Sequence, residues 1–311
     1  MIEYYKKHTS GESFHKLRRS TDDMWIHIGA PSVEELDALA EAYELDRDTI
    51  RDVLDKNELA HSEFKQSTEY VFLRPAMRTR NGEVKTRPLL AILRPDVFIT
   101  IATSMAVTAQ DIAMYGDKHR VITSQRSRML IATIYTIIGG YEQLLQRTDE
   151  YITSIQKKLR THEVDNRDFV HFVTIEGNLN EYHTCLRDML VVMERLCENK
   201  HDVFNDHESE EVKDIILYIR QLMSAVDRMT QTINSIRNAY STIANNTLNE
   251  RMKLLTALTV LIALPNVFYG MYGMNVPLPY QDTPLAYPTI VLFTILVISL
   301  VYAIAKRFKV F

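Results

Sequence analysis

Residues 254–281 read LLTALTVLIALPNVFYGMYGMNVPLPYQ and carry no formal charge over 28 consecutive positions. Asp282 follows, and 23 more uncharged residues come after it. Residues 254–273 would form a helix of about 30 Å, which matches the hydrocarbon thickness of a bilayer. Residues 289–305 form a second segment, near the short limit for a span. The sequence therefore predicts two membrane-spanning helices joined by a short external loop, 274–288.

Two buried helices of a soluble protein are the alternative interpretation of these segments. The second segment, TIVLFTILVISLVYAIA (289–305), is apolar on every side, which suits a lipid environment better than an amphipathic site. The loop 274–288 contains four prolines, so it is not expected to continue either helix. The membrane interpretation is therefore preferred.

The charges that flank the two segments predict their orientation. Arg251 and Lys253 precede the first segment, the tail 306–311 (KRFKVF) is basic, and the loop 274–288 has no Lys or Arg. Because positive charge is retained on the cytoplasmic side, both termini are expected in the cytoplasm. The N-terminus has no apolar core typical of a signal peptide. We therefore expect a multi-pass protein of the plasma (inner) membrane.

Charge and cysteine content restrict the class of the remaining chain. The net charge of −4 divides into −8 on residues 1–250 and +4 after them. An acidic soluble part argues against a nucleic-acid partner and tolerates cations. Cys185 and Cys197 are 12 residues apart, which fits no metal or redox motif, so both are expected to be reduced thiols.

Residues 1–122 have the pattern of a small α/β domain. The stretches that read as strands are 24–29 (MWIHIG), 69–77 (EYVFLRPAM), 88–95 (PLLAILRP) and 97–103 (VFITIAT). Ser32 with Glu35 forms a capping box that predicts one helix, and Asp46 is the expected cap of a second. The Asn-Gly pair in RTRNGE (78–83) predicts a hairpin turn.

The chain from 123 onward predicts long helices, because no proline occurs between Pro95 and Pro265. A helical hairpin is expected in 123–205, with a break near THEVDNRD (161–168). A heptad seam then predicts one helix over 206–273, a stalk that continues into the first span. The seam residues are Val212, Ile215, Ile219, Leu222, Val226, Met229, Ile233, Ile236, Tyr240 and Ile243. The fold class is thus an α+β membrane protein with an N-terminal α/β domain, a coiled-coil-like stalk and two C-terminal spans.

Polar and small residues recur every three or four positions in and just before the first span. They are Asn249, Met252, Thr256, Thr259, Ala263, Asn266 and Gly270, and the opposite face is expected to hold Leu254, Leu258, Val260, Leu261 and Phe268. An asparagine facing lipid would be costly, because an unsatisfied amide costs several kcal/mol there. The stripe is therefore either a helix-packing seam or the lining of a watery path.

A path lined in this way has neither acid nor base, so it would hold a cation through the water shell of the ion. Mg²⁺ gives up its water reluctantly and commonly keeps several molecules. The amide and carbonyl oxygens of Gly-Met-Asn (273–275) suit such an ion at the mouth, because a fixed charge would hold it too tightly to pass.

The sequence YGMYGMN (269–275), the two spans at the C-terminal end and the basic tail 306–311 resemble the CorA family of magnesium transport proteins over the whole chain. The resemblance implies a funnel-shaped homopentamer in which the first span lines the pore and the second packs outside. It implies that ions move down their electrochemical gradient without ATP. No phosphate-binding loop of the G-x-x-x-x-G-K-[ST] type is present, so no nucleotide partner is expected.

The resemblance also implies roles for individual residues. Gly273, Met274 and Asn275 correspond to the selectivity filter, in which Asn275 contacts the hydrated ion. The lining positions are Asn249 as a polar ring at the cytoplasmic mouth, Met252 and Leu255 as a hydrophobic constriction, and Thr256, Thr259, Ala263, Asn266 and Gly270. Met274 favours Mg²⁺, with Co²⁺, Ni²⁺ or Zn²⁺ as alternative cations.

The resemblance further implies closure by cytosolic Mg²⁺, which would bridge an acid on the long helix to an acid on the N-terminal domain of a neighbour. Asp214 falls on the long-helix position, but the hairpin MRTRNGEV (77–84) offers only Glu83. The substitutes considered are Asp206, Glu208, Glu210 and Glu211, for which a solvated turn is the alternative. Asp282 is the acid that follows the motif in the loop and is a candidate for attracting ions.

Two other classes of protein compete with a transporter. A membrane-anchored coiled-coil sensor explains the spans and heptads, but it leaves the polar stripe without a purpose. An enzyme is disfavoured, and no catalytic residue is assigned, because the histidines form no zinc-ligand motif. The histidines considered are His162, His171, His183, His201 and His207.

Overall fold

The computed structural model describes residues 2–160, 166–275 and 283–307. The chain divides into two compact units, Met1–Ile236 and Arg237–Phe311. The first unit holds a mixed β-sheet with the helices that cover it, and the second holds the two apolar helical segments.

A seven-stranded sheet forms the centre of the N-terminal part, with the strand order β2-β1-β3-β9-β8-β5-β4. Its strands are β1 (Ile2–Lys6), β2 (His15–Leu17), β3 (Trp25–Gly29), β4 (His61–Lys65), β5 (Thr68–Leu73), β8 (Leu89–Leu93) and β9 (Phe98–Ala102). β3 and β9 pair in parallel, and the other neighbours are antiparallel. β5, β8 and β9 are buried along their whole length, which explains why most of their residues are apolar.

The stretch 69–77 was expected as one strand and is two. β5 ends at Leu73, and β6 (Ala76–Arg78) begins a separate two-stranded hairpin with β7 (Val84–Thr86). Pro75 interrupts the strand because it has no N–H to donate to a neighbour. The carbonyl of Arg74 instead accepts a 2.6 Å hydrogen bond from the Tyr141 hydroxyl. Strands β1, β2 and β4 were not identified in the sequence.

Seven helices are formed by the residues that the structure describes. They are α1 (Val33–Ala42), α2 (Arg47–Asp52), α3 (Ala109–Lys118), α4 (Arg126–Arg160), α5 (Asn166–Cys197), α6 (Asp206–Tyr272) and α7 (Ala286–Arg307). The expected caps are present: Ser32 and Glu35 exchange hydrogen bonds at α1, and Asp46 accepts from the Thr49 N–H at α2. α3 was not anticipated, although Thr108 and Asp111 form a capping box there. The break between helices was expected near 161–168, and residues 161–165 of it lie outside the residues that the structure describes.

The seam of α6 is buried where it lies in the first unit. Val212, Ile215, Ile219, Leu222, Val226, Ile233 and Ile236 are buried in one core that includes residues of α4 and α5, and Met229 is half-buried. Burial of each aliphatic side chain of this kind contributes about 1.5–3 kcal/mol to the stability of the fold. The heptad spacing therefore marked a real packing surface.

The second unit contains the end of α6 and all of α7. The most apolar 18-residue windows of these helices have mean hydropathies of 1.8 and 2.2, and none of the α6 window is buried. That exposure separates the α6 segment from the buried core helix of a soluble protein. α6 continues through Pro265 to Tyr272, as expected. α7 begins at Ala286, earlier than the expected 289, and Pro288 lies in its first turn, where a missing N–H costs no helical hydrogen bond.

Candidate ion pathway

One face of α6 in the second unit packs against α7. Ala257, Leu261, Leu264, Pro265 and Phe268 are half-buried, whereas most of their neighbours along the helix are exposed. The packing is visible at Phe268, whose ring meets that of Phe293 edge to face at 5.2 Å between centroids. Thr294 of α7 is buried, with 2% of its surface exposed. The apolar side of α6 is therefore the side that α7 covers.

The polar stripe lies on the side of α6 away from α7. All of its members are exposed in the structure, and so is Leu255, the other expected lining residue. The members are Asn249, Met252, Thr256, Thr259, Ala263, Asn266 and Gly270. At about 100° per residue, the centre of the stripe is roughly opposite Leu261 and Phe268. The stripe is thus not buried between the two helices in the described part of this chain.

The expected apolar face needs one correction. Leu261 and Phe268 lie on it, but Val260 is 45% exposed and lines a groove together with Thr256. Helical geometry explains the difference, because Val260 is one turn from Thr256 and only about 80° from the centre of the stripe. Leu254 and Leu258 are each 50% exposed.

The two threonines of the stripe satisfy their hydroxyl protons within the helix. Thr256 donates to the Met252 carbonyl at 2.9 Å, and Thr259 donates to the Leu255 carbonyl at 2.8 Å. Each hydroxyl oxygen keeps acceptor capacity toward the exposed side. Such a surface can accept hydrogen bonds from water, yet it holds no formal charge.

A groove of about 690 Å³ runs along the Asn249 end of the stripe. Its lining consists of Asn246, Asn249, Glu250, Met252, Lys253, Thr256, Ala257, Val260, Leu261 and Val301. Asn246, Glu250 and Lys253 were not among the expected lining residues. The change from apolar to charged side chains at this end was visible in the sequence and would have identified them.

The Gly-Met-Asn motif closes the end of α6 with a tight turn. The Gly273 N–H donates to the carbonyls of Tyr269 and Gly270 at 3.1 and 3.2 Å, and the Met274 N–H donates to Met271 at 3.2 Å. A Cβ at position 273 would lie 3.4 Å from two carbonyl oxygens, which is an ordinary van der Waals contact. Met274 and Asn275 are exposed directly after it. The loop acid Asp282 lies outside the described residues.

The expected regulatory acids differ in whether their carboxylates are exposed or already hydrogen-bonded to other residues. Asp214 is exposed on α6, and its charge, together with burial as the larger cause, raises the pKa of Tyr135. Glu208 is not available as a substitute metal ligand, because it is buried and already hydrogen-bonded. It accepts a hydrogen bond from Ser127 at 2.8 Å and exchanges hydrogen bonds with Asn205. This capping interaction fixes the start of α6.

Two other acids near the start of α6 have basic neighbours. Glu210 pairs with Lys213 at 2.6 Å, and Glu211 lies 3.2 Å from His207. In the hairpin, Glu83 is 3.6 Å from Lys85. Within the described part of a single chain, no three His, Cys, Asp or Glu side chains are grouped to hold a metal ion.

Comparison with known proteins gives a consistent result over nearly the whole chain. A family model described as "CorA-like Mg2+ transporter protein" matches residues 22–307. The chain is 20% identical over 297 residues to the cobalt/magnesium transport protein CorA of Methanocaldococcus jannaschii, covering 91% of this chain and 90% of that one. It is 25% identical over 309 residues to a protein of Schizosaccharomyces pombe named as a candidate metal ion transporter. That match covers 88% of this chain and 48% of the relative, so the chain spans about half the length of that protein.

The fold agrees with a solved structure of the same kind. The complete structure of the CorA magnesium transporter from M. jannaschii superposes with a TM-score of 0.83 at 19% identity. The superposition covers 99% of this chain and 98% of the other, including both apolar helices. The protein is therefore a membrane protein with two C-terminal spanning helices, and the chain belongs to the CorA-like Mg²⁺ transporter family, whose members transport divalent cations and are not enzymes.

Proposed function

We propose that the protein is a passive Mg²⁺ channel of the plasma membrane, assembled as a homopentamer with both termini of each subunit in the cytoplasm. The observation that carries the proposal is the exposed polar face of α6, whose centre is roughly opposite the Phe268 contact with α7. Amides and hydroxyls on a spanning helix are costly unless protein or water satisfies them. Several copies of α6 around a central axis would satisfy them with water.

In this proposal, the residues of the stripe form the wall of the conduit and Gly273, Met274 and Asn275 form its selective mouth. Asn275 would contact the ion through its water shell, because neither the motif nor the stripe offers a charge that competes with hydration. Met252 and Leu255 would form the apolar constriction, which stops conduction when water leaves it. Asn249 would form the polar ring beyond that constriction.

The division of the chain follows from the same proposal. Residues 1–122 would be the cytoplasmic α/β domain, 123–205 the helical hairpin, and 206–273 the stalk helix with its first span, about 254–273. The loop 274–288 would be external, followed by the second span, 289–305, and the basic tail, 306–311. The basic residues on both sides of the spans support this orientation.

Cytosolic Mg²⁺ is also proposed to close the pore, with Asp214 as the regulatory ligand on the long helix. The exposure of Asp214 supports this role. Its partner would be an acid of a neighbouring subunit, and the hairpin residue Glu83 is weakly suited because it lies near Lys85. The regulatory ion would thus be held by fewer carboxylates than the family pattern implies, so we expect weak affinity for it.

The second candidate function within the same class is transport of Co²⁺, Ni²⁺ or Zn²⁺. The name of the M. jannaschii relative includes cobalt beside magnesium, which supports Co²⁺ as a further substrate. A coiled-coil sensor is not supported, because membership of a transporter family accounts for the spans and the seam together.

The proposal is tested by Mg²⁺ uptake into liposomes that contain the purified protein and a Mg²⁺-sensitive dye. We expect uptake by the wild type and a loss of about tenfold or more for Asn275→Ala. The control variant is Ser299→Ala, which removes an exposed polar group from α7 and should transport as the wild type does. Equal uptake by wild type and Asn275→Ala would overturn the filter assignment. Replacing Mg²⁺ by Co²⁺, Ni²⁺ or Zn²⁺ with a matching dye ranks the cations.

A further inference from the structure

Side chains of α5 hold the hairpin of β6 and β7 in place, and the Thr86 hydroxyl of β7 donates to Glu181 of α5 at 2.6 Å. Asn178, which is 9% exposed, accepts from the Val84 N–H at 2.7 Å and donates to the Gly82 carbonyl at 3.0 Å. The turn itself is closed by the Thr79 N–H, which donates to the Glu83 carbonyl at 2.8 Å. Gly82 has a φ of +84°, a conformation that glycine adopts without strain. The position of the hairpin on α5 is therefore fixed by these hydrogen bonds.

A cavity of about 650 Å³ lies between this hairpin and the helices α4 and α5. Three arginines line it: Arg78 and Arg80 from the hairpin, and Arg147 from α4. Its other polar lining residues are Asn81, Thr148, Glu150, Tyr151, Ser154, His171, Thr174, Asn178 and Tyr182. The volume is within the usual range of small-molecule sites, about 300–1,000 Å³.

The three guanidinium groups have no carboxylate partner in the part of the chain that the structure describes. None of Arg78, Arg80 and Arg147 forms an ion pair or a side-chain hydrogen bond within the residues that the structure describes. Glu150 is the acid among the lining residues, and the hairpin acid Glu83 is 3.6 Å from Lys85. The chain has 40 acids against 36 Lys and Arg, so acidic partners are not scarce. Three exposed arginines without a carboxylate partner therefore surround one cavity, an arrangement that favours an anion there.

We propose that this cavity binds an anion that carries two or more phosphate groups. Each arginine presents a planar fork of donors that matches phosphate oxygens in a bidentate way. Three forks from two elements suit a linear chain of phosphates better than a single group. The absence of a phosphate-binding loop argued against a nucleotide partner, but guanidinium groups bind phosphate without such a loop. Inorganic oligophosphate and a nucleoside polyphosphate share this chemistry.

The site is independent of the ion pathway, so its test does not require transport. Binding of tripolyphosphate, and separately of ATP, is measured by calorimetry on the full-length protein in detergent micelles, in Mg²⁺-free buffer. We expect saturable binding of at least one of them to the wild type. Equal affinity for both would identify the phosphate chain as the ligand, and tighter binding of ATP would add a contact to its base.

Variants decide whether the arginines make the site. The double variant Arg80→Ala/Arg147→Ala should weaken binding about a hundredfold or more, because a hydrogen bond to a charged group contributes about tenfold or more. The matched control is Arg18→Ala/Arg19→Ala, which removes the same charge from an exposed segment outside the cavity and should bind as the wild type does. Arg80→Lys/Arg147→Lys keeps the charge and the fold but loses the forks, so it should bind with intermediate affinity.

Two results would overturn the proposal. One is the absence of saturable binding of both ligands to the wild type at millimolar concentration. The other is equal weakening by the cavity variants and by Arg18→Ala/Arg19→Ala, which would mean that only net charge attracts the anion. If the alanine variant fails to fold, the lysine variant carries the test, because wild-type affinity in it would exclude bidentate recognition.

Discussion

Phe268 of α6 and Phe293 of α7 pack edge to face, with ring centroids 5.2 Å apart and planes at 86°. This contact fixes which side of the first spanning helix the second one covers. Because Phe268 is roughly opposite the polar stripe around the helix, the contact leaves Asn266 and Thr256 uncovered. The orientation of the candidate pathway follows from this pair of rings.

The aromatic pair should couple the two spans energetically. Phe268→Ala and Phe293→Ala should each lower stability in detergent, and the double variant should lose about 0.5–1.5 kcal/mol less than the sum of the single effects. Chemical unfolding of the four proteins measures this coupling. Strict additivity would indicate that the two rings are not in contact, and the assignment of the uncovered face would lose its support.

Thr256 and Thr294 provide a matched comparison of the two sides of the helix pair. Both hydroxyls donate to the carbonyl four residues earlier, at 2.9 and 2.8 Å, but Thr256 is exposed and Thr294 is buried. Thr256→Val should lower Mg²⁺ uptake severalfold, because every subunit loses an acceptor for water on the pathway. Thr294→Val has the same shape and should leave uptake within about twofold of wild type. Equal effects of the two substitutions on liposome uptake would contradict the assignment.

Asp214 should transmit the effect of cytosolic Mg²⁺ if that ion closes the pore. Mg²⁺ is expected to slow proteolysis of the wild-type N-terminal unit, and Asp214→Ala should remove most of this protection. Glu210→Ala is the control, since Glu210 is also exposed on α6 but pairs with Lys213 at 2.6 Å. Digestion followed by electrophoresis, with and without Mg²⁺, provides the measurement. Unchanged protection in Asp214→Ala would end the regulatory role of this residue.

Glu69 makes stability depend on pH. It lies in β5 with 5% of its surface exposed, and its Oε2 has no hydrogen-bond partner in the described part of the chain. Burial raises the pKa of Glu69 to about 7, against a weaker opposing effect of Arg195. Between pH 4.5 and 7 the Glu69 carboxyl is therefore protonated in the folded protein but ionised in the unfolded chain, where its pKa is 4.5. Because the folded state binds the extra proton, the stability of the protein falls as pH rises from about 4.5 to about 7.

Glu69→Gln isolates this contribution from that of other groups such as His27, whose pKa burial lowers to about 4. The variant should match the wild type near pH 4.5 and should be more stable by about 1–3 kcal/mol at pH 8. Unfolding of both proteins at the two pH values, followed by circular dichroism, tests the expectation. A variant that is less stable than the wild type at pH 8 would show that the Glu69 carboxylate is stabilised in the folded state.

The sequence predicted those features that depend on local pattern. The heptad spacing from Val212 to Ile236 located a buried seam, and the uncharged run located the two spanning helices. The capping pair Ser32 and Glu35 marked a helix start, since its hydrogen bonds join residues only three positions apart.

Features that depend on distant contacts were not predictable in the same way. β1 has no alternating pattern of its own and is positioned by pairing with β3. Glu208 resembled a free acid in a polar turn, and only its contact with Ser127, 81 positions away, makes it structural. The cavity arginines Arg78 and Arg147 are far apart in the chain, so their convergence was invisible before α4 and the hairpin were placed.

The central claim is that the uncovered face of α6 borders water inside the membrane. It is tested most directly in a variant without Cys185 and Cys197, into which Asn266→Cys or Ile295→Cys is introduced. Ile295 is exposed on α7 and would face lipid. A small, positively charged thiosulfonate reagent is present on both sides of the liposomes, and the rate of labelling is measured together with Mg²⁺ uptake. The account predicts fast labelling at 266 with loss of uptake, and almost none at 295; equal labelling at the two positions would contradict it.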